Sequence, residues 1–233
     1  MSLFACKKVT KIYHTSSEEI RALDAVQFTI EKGELLSISG RSGSGKTTLL
    51  NILGLLDSLT SGEVLLDNIA YSSLNKKERT HIRRNDIGLI FQAYNLIPVL
   101  TATENVELAL NALDKESLQK LGIINKNDKR DCAINSLREV GLIGLEKRKP
   151  YELSGGQQQR ISIARAIVKQ PKVLLADEPT ANLDKDNSLH VIRLIEKLNQ
   201  EKGLTCIYSS HDRLILENVK RIIKLEDGKI CSN

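Results

Sequence analysis

One octapeptide limits what this chain can become. Gly40-Arg41-Ser42-Gly43-Ser44-Gly45-Lys46-Thr47 matches G-x-x-x-x-G-K-[ST]. Residues 34–39 before it read as an apolar strand ending at Gly40, and an apolar helix pattern runs from Lys46 to about Leu56. A strand that feeds a glycine loop and then opens a helix is a cradle for a polyphosphate. The glycines let successive N–H groups point inward, and the helix start adds its free donors and dipole. Lys46 supplies a mobile positive charge for the β and γ phosphates. Thr47 offers a hydroxyl to Mg²⁺, and Thr48 lies next along the same turn.

Strands and helices alternate through the rest. Residues 1–39 read as strands, with period-two alternation at 26–30. Residues 63–66, 87–91, 173–176 and 205–208 are further short apolar runs of strand character. Residues 101–168 have helical periodicity almost throughout, marked by Leu108, Leu110, Leu113, Ile134, Leu137 and Val140. The polar, lysine-rich residues 115–131 read as a surface loop or an exposed helix. Glu226-Asp227-Gly228-Lys229 predicts a hairpin-type turn. Such alternation predicts an α/β fold with a mostly parallel sheet covered by helices.

The chain has 233 residues, enough for one or two domains. Its net charge of +5 is mildly basic and is not gathered into a tail. With no Trp and 3% aromatic residues, a stacking surface for nucleic acid is poorly supplied, and no nucleic-acid partner is expected. Every apolar run falls short of the ~18 to 20 residues of a membrane span. The first residues lack an apolar signal region, which points away from secretion. Cys6, Cys132, Cys206 and Cys231 form no C-x-x-C pair, so reduced thiols are expected.

Two more elements bear on chemistry. Val173-Leu174-Leu175-Ala176-Asp177-Glu178 is an apolar strand ending in two acids. At the end of a buried parallel strand, Asp177 would hold a Mg²⁺ shell and Glu178 would take a proton from an attacking water. Adjacent residues in a strand point to opposite faces unless the chain turns, and Pro179 makes a turn plausible. Taken alone, such acids also serve as helix caps or solvated turns. Leu153-Ser154-Gly155-Gly156-Gln157 precedes a helix, and Ser154 with Gln157 forms a capping box. It is either an ordinary capped helix or a second anion-binding terminus, one more than a simple kinase needs.

In this order, the phosphate loop, residues 153–157 and residues 173–178 together resemble the ATP-binding subunit of an ABC transporter. The resemblance implies a P-loop NTPase core of mostly parallel sheet with helices, an antiparallel β subdomain and a helical subdomain. It implies one ATPase domain over 1–233, with core and β subdomain at about 1–92 and 163–233 and the helical subdomain at about 93–162. ATP and Mg²⁺ are the implied ligands. Gln92 is similar to the glutamine that links Mg²⁺ and the attacking water to the membrane subunit, and Asp184 resembles the acid of the D-loop. His211 resembles the switch histidine on the γ phosphate, and Tyr13 the aromatic that stacks on adenine. Lys46, Glu178, Gln92 and His211 are thus the implied catalytic set, with Thr47, Gln92 and Asp177 toward the metal.

The same resemblance implies an ATP-dependent dimer closing head-to-tail. Each ATP would lie between one copy's residues 40–48 and the other copy's Ser154, Gly155, Gly156 and Gln157. Residues 82–88, 91–98, 100–106 and 176–180 are similar to the lipoprotein-releasing (LolD-type), macrolide-exporter (MacB-type) and FtsE-type ATPases. These imply an integral membrane permease of the FtsX/LolC/MacB-like kind as partner, at the cytoplasmic face of the inner membrane. The implied work is lipoprotein release or export of hydrophobic or peptide cargo; the alternative is FtsE-like force transmission without transport. Ala181 stands where that subgroup usually has glycine, and residues 115–131 look longer than usual.

Overall fold

The computed structural model describes residues 1–15 and 18–231. β1 (Ser2–His14) and β2 (Glu19–Glu31) pair antiparallel, and β3 (Leu35–Ser39) then runs into the glycine loop and α1 (Lys46–Leu53). β4 (Ser61–Leu66) returns beside β1. Asp67 and Asn68, at φ 50° and 64°, then turn the chain back as β5 (Ile69–Ala70). α2 (Lys76–Asp86) leads into β6 (Ile87–Ile90). Next come α3 (Ala102–Asn111), α4 (Lys115–Lys120), α5 (Lys126–Glu139) and α6 (Gly155–Ile167). β7 (Val173–Asp177), α7 (Lys185–Lys202), β8 (Thr205–Ser209) and α8 (Arg213–Glu217) precede the terminal hairpin of β9 (Arg221–Glu226) and β10 (Lys229–Ile230).

Among the described residues, the antiparallel sheet has the order β2-β1-β4-β5 and the second sheet β10-β9-β3-β8-β7-β6. From β9 to β6 the second sheet is parallel; β10 is its antiparallel edge. β3, β7 and β8 are buried along almost their whole length, as their uninterrupted apolar runs require in a sheet covered on both faces. Alternate residues serve two cores. Leu36, Ile38, Leu175 and Ile207 pack toward α1 and the antiparallel sheet. Leu174, Ala176, Cys206 and Tyr208 pack with residues of α3, α5, α6 and α7. Parallel order brings the C-terminal ends of β3, β8, β7 and β6 to one rim of the sheet.

The structure shifts two expectations and decides a third between its alternatives. α1 ends at Leu53 rather than Leu56: Leu55 turns to φ 55°, and the Leu56 N–H reaches back to Asn51 O at 2.8 Å, closing the helix end. The long helical stretch is interrupted between α5 and α6, where Gly141 and Gly144 take φ 74° and 80°. Residues 115–131 are ordered as α4 and the first turns of α5, capped by Asp114 and Asn125. No residue of α4 is buried, as an exposed helix requires, while Leu118, Leu121 and Ile123 pack the segment onto the core. The strand expectation for 1–39 also spans residues 16 and 17, which lie outside the described residues. The Glu226–Lys229 turn forms as read, with Asp227 at φ 45° and Gly228 at φ 76°. All four cysteines are free thiols.

Candidate functional site

At the rim, Ser42, Gly43 and residues 45–48 form a cleft of about 440 Å³ with Ile20, Arg21 and Ala22 of β2, Gln92, Glu178, Ala181 and His211. The loop leaves β3 and makes two left-handed turns, at Gly43 (φ 80°) and Gly45 (φ 103°). Gly45 is constrained twice over. Besides its φ, a Cβ there would stand 2.4 Å from Ala22 O. Gly45→Ala is therefore expected to cost about 1–2 kcal/mol in backbone strain alone, with the clash added. A thermal melt should fall by at least ~2 °C for a chain of this length; an unchanged Tm would refute the constraint.

Lys46 is 7% exposed, and its ammonium donates to Gly40 O at 2.8 Å and Arg41 O at 3.1 Å. Ser42 is exposed on the loop and Ser44 buried beneath it. Thr47 Oγ1 donates to Asp177 Oδ1 at 3.2 Å, which joins the start of α1 to the end of β7. Asp177 still pairs with Ser209 in the ladder, but Glu178 turns to φ 45°. That turn resolves the strand-parity difficulty: Glu178 lines the cleft, and Asp177 reaches its edge through Thr47. Glu178 Oε1 lies 2.8 Å from His211 Nδ1, and Ser210 Oγ donates to Oε2 at 3.1 Å. With Glu178 ionised, Nδ1 is the donor and carries the ring proton. His211, expected toward a γ phosphate, is placed here against the carboxylate.

Tyr13 lies off this cleft. Its hydroxyl donates to Asp57 Oδ2 at 2.7 Å, and Lys11 Nζ sits 4.6 Å from the ring centroid while pairing with Asp57 at 2.7 Å. Burial and the bond to Asp57 push the phenol above its usual range. Burial opposes ionisation of Asp57 as well, but the bonds from Lys11, Tyr13 and Ser58 outweigh it and hold the carboxyl below the usual range. The Thr48 hydroxyl at the loop's end pulls the other way on the phenol, which places Tyr13 beside that end.

The α6 terminus is likewise outside the cleft. Ser154 and Gln157 form the predicted capping box. Gly156 admits no side chain, since a Cβ would fall 2.2 Å from Asn187 Oδ1. Asp184 caps α7 through the Asn187 N–H at 2.8 Å and holds the Asn187 amide at 2.7 Å. These bonds, the N–H first, keep its carboxyl low.

The geometry adds residues that sequence reasoning passed over. Ser210 orients Glu178 and accepts from the Asp212 N–H, and Thr180 donates to Asp212 at 2.7 Å. Asn182 Nδ2 donates to Gln92 O at 2.9 Å. Ser210 and Asp212 flank His211 in the chain and were findable from that position. Residues 20–22, Asn182 and their partners are brought together only by folding. A hydroxyl, a carboxylate and an amide are hard oxygen donors, and with phosphate oxygens they suit Mg²⁺. Among the described residues, no group of three or more His, Cys, Asp and Glu could hold a metal without such help.

A protein-family model described as ABC transporter matches residues 23–181. The chain is 45% identical over 228 residues to the uncharacterized ABC transporter ATP-binding protein MJ0796 of Methanocaldococcus jannaschii, covering 93% of that protein and 96% of this one. It is 37% identical to the lipoprotein-releasing system ATP-binding protein LolD of Legionella pneumophila, covering 96% of it and 98% of this chain. All of it aligns, at 39% identity, with 35% of the macrolide export ATP-binding/permease protein MacB of Neisseria meningitidis. The dimeric structure of MJ0796 in a post-hydrolysis state, bound to ADP and Pi, superposes with a TM-score of 0.88 at 43% identity, covering 98% of this chain and 97% of that one.

Proposed function

This chain belongs to the ABC transporter family, as an ATP-binding cassette that hydrolyses ATP, and from that premise we propose that two copies close head-to-tail on ATP to drive a membrane permease of the lipoprotein-releasing or macrolide-exporting kind. One observation carries the shared site. The phosphate loop and Glu178 line one cleft, while the glycine-bearing start of α6 lies outside it. In this reading a single chain carries two anion-binding termini that do not converge on one nucleotide. A second copy supplies the missing terminus, and the MJ0796 dimer with ADP and Pi supports that reading.

In this scheme the loop N–H groups and Lys46 hold the triphosphate, and Tyr13, tethered beside Thr48, meets the base. Thr47, Asp177 and Gln92 would hold Mg²⁺, which when bound supplies charge neutralisation at the β and γ oxygens. Glu178 accepts the proton of the attacking water. Ser210, donating to one carboxylate oxygen, and His211, lying against the other, hold it in place. In this scheme His211 moves from this carboxylate to the terminal phosphate as the site closes. Ser154, Gly155, Gly156 and Gln157 of the other copy, seated by Asp184 and Asn187, read that phosphate. Closure is a population shift: ATP favours the closed pair, and hydrolysis removes the preference. We read α3 to α6 as the part that faces the permease, with Gln92 and residues 94–98 carrying the motion. Among the described residues no helix is long and apolar enough to cross a membrane. The membrane-spanning work therefore falls to the permease in this reading.

Ser154→Arg tests the shared site. A bulky cation at the start of α6 blocks the opposite copy's approach and leaves the loop untouched. Nucleotide binding should stay within about twofold of the parent, while hydrolysis falls on the order of 100-fold, the loss of one transition-state donor set. Undiminished turnover would defeat the head-to-tail site. Co-purification of the permease from solubilised membranes, followed by identification of its cargo, tests the finer assignment.

A further inference from the structure

We propose that Arg165 is a positioning residue for the reaction: it ties α6 to the segment after β6, so that the position of α6 sets the position of Gln92. The inference rests on the proposed role of Gln92 at the metal and water, and adds how that residue is held.

Tyr94 and Asn95 both take left-handed backbone, at φ 58° and 51°, although neither is glycine. Each such residue costs on the order of 1 kcal/mol and persists only where its surroundings enforce it. The enforcement is visible. Arg165 projects from α6 and donates through Nη2 to Tyr94 O at 2.7 Å and through Nη1 to Asn95 O at 2.5 Å. Among the described residues Arg165 makes no ion pair; its fork is spent on these two carbonyls. Asn182 Nδ2 takes Gln92 O at 2.9 Å, and the Tyr94 hydroxyl reaches back to Asn182 O at 3.4 Å. Beyond, the fully buried Asn105 amide binds Ile97 through both its N–H and its carbonyl, and also takes Leu100 O and Thr101 O.

Residues 92–101 are thus pinned by their main chain to Asn182, to α6 and to α3. A segment held this way moves with its anchors rather than by itself. The far end of α6 is the Ser154 turn, and Tyr94 touches that end too, since a Cβ on Gly155 would lie 3.0 Å from its Oη. Displacement of α6 by a closing partner must therefore move Tyr94 and Asn95, and with them Gln92 two residues upstream.

Arg165→Lys keeps the charge and removes the fork. In the full-length chain, three measurements separate positioning from mere support. Hydrogen exchange at Tyr94–Ile97 should accelerate about 10-fold with the rest of the chain unchanged. Mn²⁺ affinity in the presence of ATP, read by EPR, should weaken about 5-fold, and kcat should fall about 10-fold at constant KM. Arg165→Gln, which also removes the fork, should reproduce the Mn²⁺ and kcat effects and serves if Arg165→Lys does not fold. In a Gln92→Ala background, neither variant should weaken Mn²⁺ further. Faster exchange with unchanged Mn²⁺ affinity and kcat would overturn the inference alone. Parent-like Mn²⁺ affinity in Gln92→Ala itself would overturn the role of Gln92 and the inference with it.

Discussion

Glu178→Gln is expected to abolish most turnover while leaving ATP binding intact. A positioned general base contributes typically 10²–10⁴-fold, so kcat should drop by about 100-fold or more. The amide matches the carboxylate in size and can still accept from Ser210, which donates to Oε2 at 3.1 Å in the parent. The fold around φ 45° is therefore kept, and what is lost is basicity toward water. The phosphate loop does not depend on Glu178 for any of its bonds, so affinity for ATP should change by less than about twofold. Because hydrolysis is what releases the closed pair, the variant should accumulate as a dimer with ATP, visible by gel filtration, and run as the parent does without nucleotide. Parent-rate hydrolysis would remove Glu178 from the role of base.

Lys46→Ala should lose nucleotide affinity by on the order of 100-fold. Hydrogen bonds to a charged group are worth about 1.5–3 kcal/mol each, and the ammonium would serve two phosphates from a buried position, 7% exposed. The substitution also takes the donor away from Gly40 O and Arg41 O. A loss of affinity could thus be mistaken for a collapsed loop. A melt taken alongside the binding titration separates the two: a Tm within about 3 °C of the parent with weakened ATP binding assigns the effect to the phosphate contact. Unchanged affinity would end the claim that this loop holds the triphosphate.

Some elements could be read from the chain because their physics is local. The glycine loop, the Ser154–Gln157 box and the Asp227-Gly228 turn each depend on a few neighbouring residues, and each takes its expected form. Residues 115–131 form the exposed helix that their polarity allowed: no residue of α4 is buried, and Leu118, Leu121 and Ile123, too sparse to show a period, dock the segment on the core. The end of α1 was overshot because leucines continue past the helix; the backbone of Leu55 and Leu56, not hydropathy, stops it.

The sequence by itself determined the cradle, the order of the motifs and the alternation that makes a parallel sheet, since each follows from spacing along the chain. Tertiary structure alone decided which of those motifs share a cleft. It turned Glu178 beside Asp177, set His211 and Ser210 on that carboxylate, and left Tyr13 and the α6 terminus off the cleft. It also chose Arg165 and Asn182 as holders of the segment after β6. The reason is physical. A hydrogen bond between residues 70 or 90 positions apart exists only once the sheet and its covering helices have fixed both ends, and no local pattern encodes that meeting.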